Sequence, residues 1–178
     1  MGRAGYLALI AAFVGLLAVF SIGLTRDPSK LPSPYIDKAA PAFDLPGLVD
    51  PEERVNNDSI TGQKSLVNVW ATWCVGCREE HGFLMQLSES GGVPIYGINW
   101  RDDRSDALQW LERFGNPYVA TGFDGDGRAG IDWGVYGAPE TFLVDEQGIV
   151  LHKHLGPLTD AIWQRDFVPL LDQAGSPQ

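Results

Sequence analysis

The chain has 178 residues, enough for one domain with a full core and too few for two of ordinary size. Apolar residues make up 44% of it and charged residues 20%, a composition that excludes intrinsic disorder. The formal charge is −10; Arg3 and Arg26 apart, 11 basic side chains face 23 acidic ones, and this excludes nucleic acid and anionic lipid surfaces as partners. Tyr6 to Leu24 is a charge-free run of 19 residues. At the helical rise it would extend roughly 28 Å, close to the thickness of a bilayer hydrocarbon core. Its end, Phe20-Ser21-Ile22-Gly23-Leu24, offers no good small-x-small cleavage site, which favours an uncleaved anchor over a signal peptide. Arg3 precedes the run while Arg26 and Lys30 follow it, so charge barely biases the orientation.

Residues 1–5 then form a short N-terminus, cytoplasmic if the domain does disulfide chemistry on the extracytoplasmic side, 6–24 a transmembrane anchor and 25–40, with three prolines, a semi-extended tether. A globular domain follows over 41–174, and 175–178 is a tail. Within the domain, Pro41 to Leu45 reads as a short edge strand and 50–64 as a polar loop. Ser65 to Trp70 is a buried strand, and it runs into a helix whose first turn carries both cysteines. Gly91-Gly92 breaks that helix, and Val93 to Asn99 is a second buried strand. A helix from about Ser105 to Phe114 places Ala107, Leu108, Leu111 and Phe114 on one face, with Asp102, Asp103 and Ser105 as possible caps. Tyr118 to Asp124 is a third strand, and a short helix lies near Arg128 to Trp133. Thr141 to Val144 and Ile149 to His154 form a hairpin across Asp145-Glu146-Gln147-Gly148, before a last helix capped by Thr159 and reaching about Leu171.

The chemistry lies in Trp70 to Glu80, WATWCVGCREE, which holds the only two cysteines, Cys74 and Cys77. The unpaired N–H groups and positive dipole end of a helix favour an anion, so Cys74 is expected to be a stabilised thiolate. A thiolate attacks disulfides, and a second thiol three residues on resolves the mixed disulfide. The element order β-α-β-α-β-(α)-β-β-α, with the C-x-x-C opening the first long helix of the domain, gives an α/β thioredoxin-like fold: a mixed sheet flanked by helices and preceded by one N-terminal transmembrane helix.

WATWC-x-x-C-R-x-E-H, N-x-x-D-D-R from residue 99, FDGDG at 123–127 and GVYGAPETFLVD at 134–145 together resemble the cytochrome c maturation thioredoxins of the CcmG/DsbE group. A C-x-x-C alone is shared with metal sites; its combination with GVYGAPETFLVD singles out this group. The similarity runs from about Pro41 to Leu170. It implies that Cys74 is the exposed attacking cysteine, Cys77 the buried resolving one and Pro139 the cis-proline that faces them, whose neighbourhood binds extended substrate chain beside the sulfurs. Glu80 and Glu140 match the acidic residues of this group's site, and N-x-x-D-D-R and FDGDG match its loop insertions. By the same resemblance, the protein is a reductase anchored singly in the bacterial inner membrane with its soluble domain in the periplasm. Its substrate is the haem-attachment C-x-x-C-H of apocytochrome c, or a companion thiol protein of the maturation system. Its electrons come from a membrane donor of the DsbD or CcdA kind, and it needs no cofactor beyond the Cys74–Cys77 disulfide. An acidic site favours chosen substrates partly by repelling others.

The chain departs from the group at Val75-Gly76, where proline followed by a small or polar residue is usual, and these positions tune the redox potential. Position 68 is Asn where ordinary thioredoxins carry a proton-transferring Asp, so Glu80 or Glu140 is expected to take that role unless both are solvated surface charges. Trp73 beside Cys74 is expected to supply contact surface; Trp70, Trp100, Trp110, Trp133 and Trp163 are expected in the core. His81 reads as a helix-face residue. His152 and His154 share one strand face and, with the cysteines, would make a Cys₂His₂ set, which keeps a copper- or zinc-binding module open. A general thiol oxidant of the DsbA kind is the other alternative, because it uses the same motif.

Overall fold

The computed structural model describes residues 2–24 and 34–172. Contacts divide the chain into two units, residues 1–31 and 32–178. In the first, helix α1 spans Arg3–Leu24. Its stretch Arg3–Ser21 has a mean hydropathy of 2.2 with none of its described residues buried, so it is long and apolar enough to cross a membrane.

The second unit is built on a five-stranded sheet in the order β5-β4-β3-β6-β7. Its strands are β3 Ser65–Trp70, β4 Ile95–Trp100, β5 Ala120–Asp124, β6 Glu140–Val144 and β7 Val150–Leu155. β3, β4 and β5 run parallel, and β6 and β7 join antiparallel, with Val69 opposite Glu140 and Phe142 opposite Lys153. β3 is central and buried at all six positions, which is why it reads as a continuous run, Ser-Leu-Val-Asn-Val-Trp, and not as an alternation. Helix α2 Val75–Ser90 follows β3, α3 Arg104–Phe114 follows β4, and α4 Arg128–Asp132 follows β5. The C-terminal helical segment is in three pieces: α5 Asp160–Ile162, a π-helical turn Trp163–Phe167 and α6 Val168–Asp172. One core, on the sheet face of Leu66, Trp70 and Leu143, holds both cysteines, Leu84, Trp110 and Phe167. The other, on the face of Val67, Val69 and Phe142, holds Phe43, Ile98 and Trp133.

Four expectations need correction. Residues 36–40 are not tether: Ile36 and Ala39 bridge to Val150 and Ile149, and Asp37 and Ala40 donate their N–H groups to Val150 and Gly148. Of the tether's other residues, 25–33 lie outside the described residues, as does the tail 175–178. The stretch 50–64 is not all loop. β2 Arg54–Asn56 pairs antiparallel with β1 Asp44–Pro46, and a 3₁₀ turn Asn57–Ile60 follows, closed by a reciprocal cap between Asn56 and Ser59. Polar residues hide this hairpin in the sequence because only Val55 and Ile60 of these elements are buried. Phe114 is 39% exposed, and Trp110 takes its place on the inner face of α3. Finally, α2 begins at Val75, so Cys74 is its N-cap and only Cys77 lies in its first turn.

Candidate active site

Cys74 and Cys77 form a disulfide, and the Cys77 N–H donates to the Cys74 sulfur at 3.0 Å. That sulfur therefore occupies the place a capping oxygen usually takes, where the free N–H groups of the helix stabilise negative charge. Expected to be exposed, Cys74 keeps only 6% of its surface in the disulfide form. Its neighbours Trp73 and Val75 stay outside, Trp73 being 54% exposed, as a contact surface requires. The other five tryptophans are buried.

The turn before the disulfide is clamped by the loop after β4. Asp102 accepts from the Thr72 N–H at 2.7 Å, the Thr72 hydroxyl at 2.6 Å and the Asn99 amide at 2.9 Å. The Trp73 indole donates to the Arg101 carbonyl at 3.0 Å, and the Arg101 guanidinium lies 4.9 Å from the Trp100 ring. Arg101 has a positive φ of 49°. In the 123–127 stretch, Asp124 accepts the N–H groups of Ala129 and Gly130, and burial lifts its carboxyl above the usual range. Gly127 is left-handed, and a methyl group there would strike the Arg101 side chain. Both loops thus brace the Trp73 side of the disulfide.

On the other side lies Pro139, joined to Ala138 by a cis peptide bond. The backbone between the cysteines presses against it: a methyl group on Gly76 would come within 2.9 Å of Pro139 and 3.1 Å of Pro157. Tyr136, two positions before Ala138, is exposed.

Glu80 and Glu140 are both 1% exposed, so neither is a solvated surface charge. Glu80 lies one helical turn beyond Cys77, on the same face. Its oxygens accept the Asn68 amide at 2.8 Å and the Leu158 N–H at 2.7 Å. Asn68 also donates to Thr141, and its oxygen receives the Tyr118 hydroxyl at 2.9 Å. These partners are all neutral, so burial prevails and pushes the Glu80 carboxyl up to about 7, more than the two hydrogen bonds pull it down. Tyr118 is also driven well above its usual range, first by burial and then by Glu80. Glu140 is held differently. One oxygen accepts the N–H groups of Tyr136 and Gly137, and the other lies 2.8 Å from the Lys153 ammonium.

His81 is buried with Nε2 3.0 Å from the Phe114 carbonyl, and burial lowers its pKa, so it sits neutral. The His152 ring packs edge-on against Phe167, 5.0 Å away, and burial holds its pKa down. Among the described residues no three His, Cys, Asp or Glu side chains are grouped as a metal site requires.

Sequence reasoning passed over Asp102 as a clamp, Tyr118, and Lys153. Lys153 did leave a signal: it alternates with His152 and His154, so it must face the opposite, inner side of β7.

A capping C-x-x-C disulfide whose spacer backbone abuts a cis-proline, on this sheet, defines a dithiol–disulfide exchange protein of the thioredoxin-like class. The comparisons agree. The Redoxin family model matches residues 36–166. The thiol:disulfide interchange protein DsbE of Allochromatium vinosum is 48% identical over 170 residues, 94% of each chain. That of Escherichia coli is 45% identical over 169 residues, covering 94% of this chain and 90% of its own. A crystal structure from Chlorobium tepidum, also a DsbE, superposes with a TM-score of 0.60 at 28% identity, over 72% of this chain and 94% of that one. The chain belongs to the Redoxin family and, within it, to the DsbE thiol:disulfide interchange proteins.

Proposed function

We propose that this thiol:disulfide oxidoreductase works as a reductant, anchored by α1 in the inner membrane with its redox domain in the periplasm. In the reduced protein, the Cys74 thiolate attacks one sulfur of a partner disulfide. The S–S bond of the partner breaks, its other sulfur leaves as a thiolate and takes a proton, and a mixed disulfide forms. Cys77 then gives its proton to the Glu80 carboxylate and attacks the Cys74 sulfur, releasing the partner's second thiolate. Two electrons have moved from the cysteine pair to the partner.

One observation carries the reducing direction. Donor proteins are strong oxidants because their reduced form is stabilised. Here the buried Glu80 sits one turn from Cys77, and the adjacent His81 is neutral. A carboxylate beside the pair opposes the stabilisation that the N-terminus of α2 gives the Cys74 thiolate, and we infer that the balance favours the disulfide, so that the dithiol gives electrons away. The motifs WATWC-x-x-C-R-x-E-H and GVYGAPETFLVD, through their resemblance to the cytochrome c maturation group, support the further reading that the partner is the haem-attachment C-x-x-C-H of apocytochrome c or a companion thiol protein. Catalytic turnover then requires a membrane electron donor of the DsbD or CcdA kind.

The test is the reduction potential of the Cys74/Cys77 pair in the full chain, in detergent, against glutathione and dithiothreitol buffers. A value nearer thioredoxin's roughly −270 mV than DsbA's about −120 mV is expected. A value at the DsbA end would make the protein a disulfide donor and remove the cytochrome reading.

A further inference from the structure

The loop from Gly134 to Pro139 presents Tyr136 and the cis-proline beside the disulfide, yet it is short of internal fastening. Gly134 and Gly137 give it backbone freedom, Gly134 with φ of +63°, and Tyr136 projects outward. Its first residues are tied to α4, the Gly134 and Val135 N–H groups donating to the Ile131 and Gly130 carbonyls, and the rest is held from β7. The Lys153 ammonium donates to the Gly134 carbonyl at 2.8 Å, where the loop begins. It lies 2.8 Å from Glu140, where the loop ends, and 4.7 Å from the Tyr136 ring centre, in between. Glu140, so held, receives the N–H groups of Tyr136 and Gly137. Phe142, opposite Lys153 across the ladder, closes the remaining side at 5.1 Å.

Both partners of this ion pair are almost fully buried, their side chains 3% and 1% exposed. A buried pair of this kind seldom adds net stability over apolar residues of the same volume, because desolvation offsets the attraction. Its yield is geometric. A single cation reaches both ends and the middle of the loop, as no apolar side chain would.

We propose that Lys153 is a positioning residue: through Glu140 and Gly134 it sets the shape of the Gly134–Pro139 loop against which an extended, cysteine-bearing polypeptide lies during exchange. This rests on the reading that the Pro139 loop receives the substrate chain. Small disulfides, which need only the sulfur of Cys74, are indifferent to Lys153.

The experiment compares two substrates on the full chain in detergent: a disulfide-bonded peptide containing Cys-x-x-Cys-His, and 5,5′-dithiobis(2-nitrobenzoate). Lys153→Met leaves Glu140 as a lone buried charge and endangers folding, so the deciding variant is Lys153→Met combined with Glu140→Gln. That pair carries no buried charge and keeps an amide oxygen for the Tyr136 and Gly137 N–H groups. Its kcat/KM for the peptide is expected to fall about 30-fold, mainly through KM, while the rate with the small disulfide stays within about 2-fold. A peptide KM equal to that of the unaltered chain would overturn the proposal, and so would a parallel loss with both substrates. Pro139→Thr separates the underlying reading. If it leaves the peptide KM unchanged, the loop does not receive substrate and the proposal falls with that reading. If it raises KM while the double variant does not, only the assignment to Lys153 fails.

Discussion

Glu80 and Glu140 are equally buried, and Thr141 and Glu140, consecutive on β6, send their side chains to opposite faces of the sheet. Glu80 joins the Thr141 face through Asn68, within the core that holds the cysteines. Glu140 joins the Phe142 face, where Lys153 waits. On the first face every partner is a neutral donor, so the carboxyl is poised near pH 7 and can exchange a proton. On the second, a cation meets the charge, and the carboxylate is committed to holding a loop. Burial alone therefore does not decide what an acidic residue does; the charge of its partner does.

The largest effect that sharpens this contrast is on stability. Glu140→Ala strands the Lys153 ammonium and is expected to cost about 3–5 kcal/mol in urea unfolding. A loss under about 1 kcal/mol would mean that the pair is not desolvated, and the contrast would break. For Glu80 the effect is kinetic. Under the proposed proton transfer from Cys77, Glu80→Gln is expected to slow resolution of the mixed disulfide about 10²-fold, read by quenched-flow trapping.

The same residue sets a pH signature. Its folded pKa of about 7 lies above the ordinary carboxyl range, so the folded state binds the extra proton. Stability is then highest below the unfolded pKa and falls as pH rises from roughly 4.5 to 7, by on the order of 3 kcal/mol. Glu80→Gln should flatten that slope in thermal melts. Gly76→Ala, where the spacer meets Pro139 and Pro157, is expected to cost about 1–3 kcal/mol by overpacking. The smallest effect is Tyr118→Phe. It takes one donor from Asn68 and should cost about 1 kcal/mol, with a small shift in the Glu80 pH midpoint.

Much of this site was legible in the sequence. β3 and α2 announce themselves by an apolar run followed by helical spacing, and the order of elements around Cys74 and Cys77 leads to the fold. Trp73 could be assigned outward because it neighbours a reactive sulfur. The hairpin of β1 and β2 could not be read, since β2 buries only Val55 and gives no period. Nor could the attachment of residues 36–40, which is made by backbone hydrogen bonds that leave no mark on side-chain pattern. Glu80 and Glu140 looked alike because sequence does not say which cation lies across a sheet. Lys153 is 13 residues from Glu140, and only the register of β6 on β7 brings them together.

The attachment of residues 36–40 has one more consequence. An open sheet has two outer strands whose unpaired backbone groups invite any extended chain to add itself as another strand. This protein exchanges disulfides, so it handles partner polypeptides at close range. On one flank Ile36 and Ala39 cover the approach to β7, and beyond them Lys153 places an inward charge on that strand. On the other flank Gly47 bridges to Gly122, and Leu48 donates to Thr121 of β5. A client strand is thus discouraged from zipping onto either border, so that a partner polypeptide can depart once the exchange is complete.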